Sequence, residues 1–259
     1  CSSDLEQVSI LKVNKFRDLT LMHINEETMM VLACDSCGGI GMKKHDALET
    51  PQEVVGYLTA GVALSELLAF RAKPITIVNN FCVEMNPTGE KIIGGIKKAI
   101  TDCGLDQEML LTGSTEENMP TVQTSIGITA IGMIDLKNWT KPRTYKGDDL
   151  IVVGKPKVGS EVLKSKEIPN IKIISLIKDI LGINEILPVG SKGIDYEIGE
   201  LCKSNDLDFK YTQTVEVDIK KSAGPVTCFI ISGQKETILE QLTKYNVSYS
   251  YLGCFIEKC

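Results

Sequence analysis

An apolar run that ends in an acid and a cluster of glycines is the feature that most constrains this chain. Residues 29–32 form the apolar run, which predicts a buried strand. Asp35 follows it, and Gly38, Gly39 and Gly41 come shortly after. Glycine lets a ligand approach the backbone closely, so the arrangement suits a magnesium–phosphate site, with the carboxylate on the metal and backbone N–H groups on phosphate oxygens. A glycine turn with Asp35 as a solvated cap is the alternative, and these residues alone leave both open.

Strand-like and helical patterns alternate after this stretch. Thr50, Pro51 and Glu53 predict the start of a helix with a capping box, and Pro74 predicts its end. Asn86 and the proline after it predict the start of a second helix. The predicted elements of this part are a hairpin, two helices and three further strands: 19–24, 28–33, 50–73, 75–78, 86–104, 109–111 and 125–134. This alternation is typical of an α/β protein.

A polar segment broken by proline and glycine, 138–149, predicts a domain boundary. We therefore expect one domain over 1–140 and a second over 141–259. The second domain also alternates between strands and helices, and its predicted elements are 150–153, 170–181, 185–189, 191–204, 209–218, 226–232, 234–245 and 247–256. No tandem repeat is evident along the chain.

Composition excludes several classes of partner. The 259 residues carry a net charge of -6 and no long basic run, which argues against nucleic acid because such binding depends on clustered Lys and Arg. No apolar stretch reaches the length of a membrane span and no signal peptide is visible, so we expect no membrane partner. The nine cysteines are odd in number and show no repeated metal spacing, which favours a reduced cytoplasmic protein.

Several common catalytic motifs are absent from the sequence. It has no G-x-x-x-x-G-K-[ST] loop, no G-x-G-x-x-G and no G-x-S-x-G. The two histidines, His23 and His45, lie in a strand pattern and a charged loop, and we interpret both as structural or solvated. Cys34 and Cys37 form a lone C-x-x-C, which makes a thiol redox protein a third and weaker hypothesis. A zinc site would need a second such pair.

Five motifs in order carry a resemblance to a known family. The acid-and-glycine loop comes first, and the other four are 64–74 with Glu66, 112–120 after a strand, 146–154 at the start of the second domain, and 224–228. Together they resemble the AIR synthase-like ATP-binding superfamily, which includes aminoimidazole ribonucleotide synthetase, thiamine-monophosphate kinase and selenophosphate synthetase. The resemblance covers roughly residues 15–256 and implies an α/β (α+β) fold of two domains, the first with a mixed sheet.

The resemblance also implies a site and an assembly. It implies ATP and Mg²⁺ as cofactors and a homodimer with ATP at the interface of the N-terminal domains. The candidate metal ligands are Asp35 and Glu66, and charge on the phosphates can come from Lys43 and Lys192. The glycine loop and Asn118 are candidates for holding the nucleotide. Glu116, Glu117 and Lys192 are the candidate catalytic residues.

Three stretches, 33–46, 112–124 and 187–194, resemble the α-ribazole kinases of cobamide lower-ligand salvage. This branch implies phosphorylation of the 5′-hydroxyl of a small nucleoside, here α-ribazole, as part of cobalamin biosynthesis. The chain departs from the superfamily at Glu66 and Ser114, where acids of the metal site are replaced, and at Lys192, where thiamine-monophosphate kinases carry an acid. Thiamine phosphate is therefore disfavoured as the acceptor. The alternatives are another ATP-dependent enzyme of the superfamily and a non-catalytic nucleotide-binding or sensor protein.

Overall fold

The structure is a computed structural model that describes residues 12–106, 108–165 and 171–258. Its strands are β1 Lys12–Phe16, β2 Leu19–His23, β3 Thr28–Gly38, β4 Ile40–Gly41, β5 Leu48–Glu49, β6 Lys73–Phe81, β7 Leu111–Ser114, β8 Ser125–Asp135, β9 Asp149–Gly154, β10 Ile183–Pro188, β11 Leu207–Tyr211, β12 Cys228–Gly233 and β13 Tyr249–Glu257. Its helices are α1 Gln52–Ala69, α2 Glu90–Asp102, α3 Ser160–Lys164, α4 Lys172–Ile177, α5 Ile194–Asn205 and α6 Lys235–Lys244. Within these ranges no helix is both long and apolar enough to cross a membrane.

Two large sheets divide the strands according to chain order. The first has the order β1-β2-β3-β8-β6-β7 and is antiparallel except for the parallel pair β6–β7. The second has the order β10-β12-β9-β13-β11, and all its pairs are antiparallel. The predicted mixed sheet in the first part is thus confirmed, and the fold belongs to the α+β form of the predicted class. The boundary predicted at 138–149 falls between β8 and β9.

Helix α1 is buried over most of its surface. It packs against α2, β3 and β8 of the first half and against β10 of the second. Small residues let neighbouring elements approach it closely, and Ala60 and Ala63 are fully buried. One hydrophobic core accordingly runs from the first sheet through α1 into the second half, where Ile151, Val153 and Ile186 belong to it. The helix holds the two halves against each other.

The two faces of the first sheet differ. Along β3, Met29, Val31 and Ala33 are buried against α1, whereas Met30 and Leu32 point to the opposite face and stay partly exposed. The same alternation continues in β8, paired in register with β3. No described helix covers this opposite face. We call it the open face and define it by Met22, Met30, Leu32, Ile131 and Met133.

Element ends differ in places from the sequence predictions. Pro51 itself occupies the N-cap of α1, and no side chain caps the helix, because Thr50 is buried in the preceding chain rather than free to cap. The helix ends at Ala69, so Pro74 lies inside β6 instead of terminating α1. The strand predicted over 209–218 ends at Tyr211, and the helix predicted over 170–181 is seen as α4 within the described residues. These differences are tertiary effects on local patterns.

Two glycines set the distance between α1 and α2. A Cβ on Gly95 would lie 2.0 Å from the carbonyl oxygen of Glu53, and a Cβ on Gly56 would lie 2.0 Å from the carbonyl oxygen of Ile92. Both contacts are with backbone, so neither can be relieved by a side-chain rotation. The neighbouring Gly94 has open space around it.

We expect Gly95→Ala to destabilise the protein by about 3 kcal/mol, since the helices must separate to admit the methyl group. Gly94→Ala is the matched control, one position away in the same helix. It should stabilise by about 0.5–1 kcal/mol because alanine favours the helix and nothing opposes it. Chemical denaturation of both variants measures the free energies of unfolding, and equal effects would contradict the close helix contact.

Candidate functional site

A cavity of about 680 Å³ lies between the two halves of the chain. The first half lines it with the end of β3 and one side of α1, including Val55, Leu58 and Val62. The second half contributes α3 and the turns at 190–191 and 224–226. This volume is within the range of small-molecule sites, and the predominantly apolar lining is typical of them. The cavity is therefore the candidate binding site.

Three acids line the cavity from different elements. Asp35 comes from β3, Glu66 from the last turns of α1, and Asp18 from the turn between β1 and β2. Burial raises the pKa of Asp35 to about 6. Burial, together with the nearby charges of Asp18 and Glu197, raises the pKa of Glu66 to about 8. The structure thus brings the two predicted metal ligands, Asp35 and Glu66, to one cavity.

No Lys or Arg is among the described residues that line this cavity. The described lining therefore offers no positive side chain to an anionic ligand. The described residues contain no group of three or more His, Cys, Asp or Glu arranged to hold a metal. Two carboxylates still fit Mg²⁺, which keeps several waters and takes its other ligands from substrate phosphates. Asp35 and Glu66 are the residues that would hold it.

The glycine loop uses its backbone groups internally. Gly38 lines the cavity, but the N–H of Gly39 donates to the carbonyl of Thr124 at 2.8 Å. Gly41 has φ of +152°, and a Cβ there would lie 2.4 Å from the hydroxyl of Thr124 and 2.7 Å from the carboxylate of Asp46. Asp46 accepts hydrogen bonds from the backbone of Lys43 and from Thr124. In this conformation, Gly39 and Gly41 stabilise the loop itself and do not line the cavity.

Lys43 lies away from the cavity lining. Its ammonium group forms an ion pair with Glu84 at 2.6 Å and donates to the carbonyl of Thr121 at 3.1 Å. The side chain is largely buried between these partners. To reach a phosphate it would have to leave both. Its predicted role toward the phosphates stays a prediction.

The three predicted residues after β7 are also outside the cavity lining. Glu116 accepts hydrogen bonds from the backbone of Asn118 and Met119, at 2.8 and 3.1 Å. Glu117 accepts from the backbone of Met85 at 2.8 Å. Asn118 itself is exposed. These contacts shape the loop, and the structure does not bring these residues together with Asp35.

Lys192 lies in the turn before α5, next to Ser191, which lines the cavity. Its ammonium group sits 4.0 Å from the ring centroid of Tyr196. A hydrogen bond to Tyr196 raises the pKa of this exposed lysine. Lys192 is thus near the rim of the cavity rather than in its lining.

Cys34 and Cys37 cannot form a disulfide in this structure. Both lie in β3, which pairs with β8 over its whole length without a register shift. Residues three apart in a strand point to opposite faces, and their Cα atoms are roughly 10 Å apart. A disulfide requires Cα atoms within about 7 Å. Burial also raises the pKa of the Cys37 thiol, which keeps it protonated. The geometry therefore argues against the redox hypothesis.

Sequence reasoning gave no role to three charged groups near the cavity. Glu197 in the first turn of α5 is buried, and burial raises its pKa to about 7. Arg17 and Glu185 form an ion pair of 2.8 Å between the two halves. Acids are common in the first turn of a helix, where they interact favourably with the helix dipole. The sequence around Glu197 therefore does not distinguish it from such a residue. The ion pair joins residues far apart in the chain.

One family model matches the chain. Residues 17–134 match the family described as AIR synthase related protein, N-terminal domain. This segment contains β2, β3, α1, β6, α2, β7 and β8, and therefore both Asp35 and Glu66. No curated protein matches the sequence.

Solved structures show the same fold over nearly the whole chain. PurL of T. maritima, complexed with ATP, is 14% identical, with a TM-score of 0.61 over 92% of this chain and 42% of that chain. Thiamine-monophosphate kinase from Stenotrophomonas maltophilia K279a is 13% identical, with a TM-score of 0.62 over 97% and 90%. E. coli HypE, a hydrogenase maturation protein, is 14% identical, with a TM-score of 0.64 over 88% and 80%. The chain thus spans less than half of the PurL chain, and at these identities the likeness establishes an AIR synthase-like fold.

We expect Glu66→Gln to change how stability depends on pH in the absence of metal. The native carboxyl holds its proton up to about pH 8, whereas an unfolded glutamate releases it near 4.5. Wild-type stability should therefore fall as pH rises between these values, because the native state binds more protons there. Glu66→Gln should flatten this decline and be the more stable protein above pH 8. Thermal melts from pH 4 to 9, with the exposed Glu53→Gln as control, test this, and parallel profiles would contradict the burial of Glu66.

Proposed function

We propose that this protein is an ATP-dependent small-molecule kinase whose acceptor is a nucleoside hydroxyl, with α-ribazole as the leading acceptor. The observation that carries the proposal is the cavity between the halves, which combines an apolar wall with Asp35 and Glu66 and has no cationic side chain in its described lining. The likeness in fold to PurL complexed with ATP and to thiamine-monophosphate kinase supports ATP as the phosphoryl donor.

The acids determine the form in which ATP can bind. No lysine or arginine of the described lining can offset the charge of a triphosphate, so Asp35 and Glu66 would hold Mg²⁺ next to it. Mg²⁺ held by these carboxylates would supply positive charge to the phosphates. Phosphoryl transfer needs little covalent chemistry from the protein, and its main requirement is a hydroxyl positioned next to the phosphate.

The lining also determines which acceptors fit. Val55, Leu58 and Val62 on one side and Val162 and Leu163 on the other offer an apolar surface suited to a flat ring. A phosphate on the acceptor would find no lysine or arginine among the described lining residues and would meet the acids. A neutral nucleoside such as α-ribazole, with its benzimidazole ring, avoids this cost. Transfer to its 5′-hydroxyl would give α-ribazole 5′-phosphate and ADP.

The remaining predicted residues have supporting roles in this proposal. Lys192 is close enough to the rim that release from Tyr196 would bring its charge toward the phosphates. Glu116, Glu117 and Asn118 would act only if their loop changed conformation, because Glu116 now accepts from the backbone of Asn118 and Glu117 from the backbone of Met85. In the alternative, a non-catalytic nucleotide sensor, the same cavity and acids would bind nucleotide without phosphoryl transfer.

We also propose a homodimer that buries the open face of the first sheet. In this arrangement the cavity proposed for ATP lies within each chain, not at the interface that the resemblance implies. Met22, Met30, Leu32, Ile131 and Met133 present apolar side chains there. None of them belongs to the partly buried residues that pack against the core. A contiguous apolar patch on a sheet is typical of a protein interface. A second copy could cover it through the same surface, as a two-fold axis requires.

The first test measures ADP formation with Mg²⁺, ATP and a panel of nucleosides. We expect ADP in step with a phosphorylated benzimidazole riboside and none with thiamine monophosphate. Asp35→Asn should lower ATP affinity or turnover at least about tenfold, equivalent to about 1.4 kcal/mol, because it removes a metal ligand. Glu53→Asn, an exposed position on α1, is the control. ATP binding without phosphorylation of any acceptor would favour the sensor, and efficient formation of thiamine diphosphate would refute the choice of acceptor.

The second test concerns the dimer. We expect Ile131→Lys to give a monomer by light scattering coupled to gel filtration, since it buries an ammonium group in the proposed interface. Leu181→Lys is the control, because Leu181 is 95% exposed and lies between α4 and β10, outside the first sheet. A wild-type protein that is already monomeric at micromolar concentration would refute the proposal.

A further inference from the structure

The turn between β1 and β2 crosses from the first half of the chain into the second. β1 and β2 pair from Lys12–His23 to Phe16–Leu19, which leaves Arg17 and Asp18 as the turn. Arg17 adopts a positive φ of 52°. Its side chain points to the second half, whereas Asp18 lines the cavity.

The guanidinium of Arg17 is held by a network in the second half. It forms a 2.8 Å ion pair with Glu185 of β10 and donates to the hydroxyl of Ser204 in α5. Glu185 accepts two further hydrogen bonds on its other oxygen, from Thr144 at 2.7 Å and Asn205 at 3.1 Å. The side chains of Arg17 and Glu185 are only 11% and 2% exposed. The network therefore fixes the turn within a buried environment.

This network is poorly suited to act through stability alone. Burying an ion pair removes hydration from both charges, and apolar replacements of such pairs are often equally stable. The Nε atom of Arg17 is also buried and has no hydrogen-bond partner among the described residues. The ion pair instead fixes the position of one half relative to the other, because Arg17 and Glu185 can pair in only one arrangement of the halves.

We propose that Arg17 is a positioning residue that fastens the β1–β2 turn to the second half and thereby holds Asp18 at the cavity. Its positive charge also acts to lower the pKa values of Glu66 and Glu197. The inference rests on the proposed function only in taking the cavity as the nucleotide site.

A second arginine provides a matched control. Arg71 follows α1, also has a positive φ, of 61°, and also crosses between the halves. It donates to the carbonyls of Lys178 at 2.9 Å and Ile183 at 3.0 Å. It does not line the cavity. Arg71→Met therefore removes a contact between the halves without touching the turn that carries Asp18.

The test compares Arg17→Met/Glu185→Gln with Arg71→Met and wild type. The pair variant removes both charges, so that no unpaired charge remains buried. We expect it to fold, to exchange the amide hydrogens of 12–23 at least tenfold faster, and to bind MgATP at least tenfold more weakly by calorimetry. Arg71→Met should have a lower melting temperature but wild-type exchange over 12–23 and wild-type MgATP affinity. Arg17→Lys, which keeps the charge but not the contact with Ser204, should lie between wild type and the pair variant.

If the amide hydrogens of 12–23 exchange at the wild-type rate in the pair variant, Arg17 does not fasten the turn to the second half. If exchange is faster but MgATP binds with wild-type or higher affinity, Arg17 has no positioning role toward the cavity. If the pair variant does not fold, Arg17→Lys decides by the same two measurements, and wild-type values for both would overturn the inference. If the wild-type protein binds no MgATP, the proposed function fails, and hydrogen exchange alone then decides whether Arg17 fastens the turn.

Discussion

The burial of α1 between the two halves is the constraint on which the rest of the structure depends. A helix that is buried along one stripe packs against a single sheet. Helix α1 also contacts β10, which lies beyond the domain boundary predicted from the sequence. Small residues make this possible, since Gly56 of α1 and Gly95 of α2 bring the two helices to backbone contact on one side. The opposite side is thereby free to carry Val55, Leu58 and Val62 into the cavity.

The position of α1 also explains the electrostatics of the cavity. Glu66 lies on the helix near its end, where the second half closes over it, and burial raises its pKa to about 8. Asp35 reaches the same space from a strand of the first sheet. A site with raised carboxyl pKa values and no neighbouring lysine or arginine in its described lining is poised for a cation.

The glycine loop shows how a correct pattern can have a different physical cause. Glycine is required at Gly41 because a side chain would collide with Thr124 and Asp46. From the sequence alone, the same glycines are interpreted as a phosphate-binding loop. In the structure, the N–H of Gly39 donates to the carbonyl of Thr124, and Asp46 accepts from the N–H groups of Lys43 and Thr124. Of the three loop glycines, only Gly38, at the end of β3, lies in the cavity lining.

The sequence by itself determined the order of most strands and helices, the superfamily resemblance, and the pairing of Asp35 with Glu66. These follow from local periodicity and from motifs, which are properties of short segments. The tertiary structure alone decided that Lys43 and Glu116 turn away from the cavity and that Arg17 and Glu185 meet. Arg17 and Glu185 lie in separate elements, and their ion pair exists only because two sheets close on α1. No local pattern encodes a contact of that range.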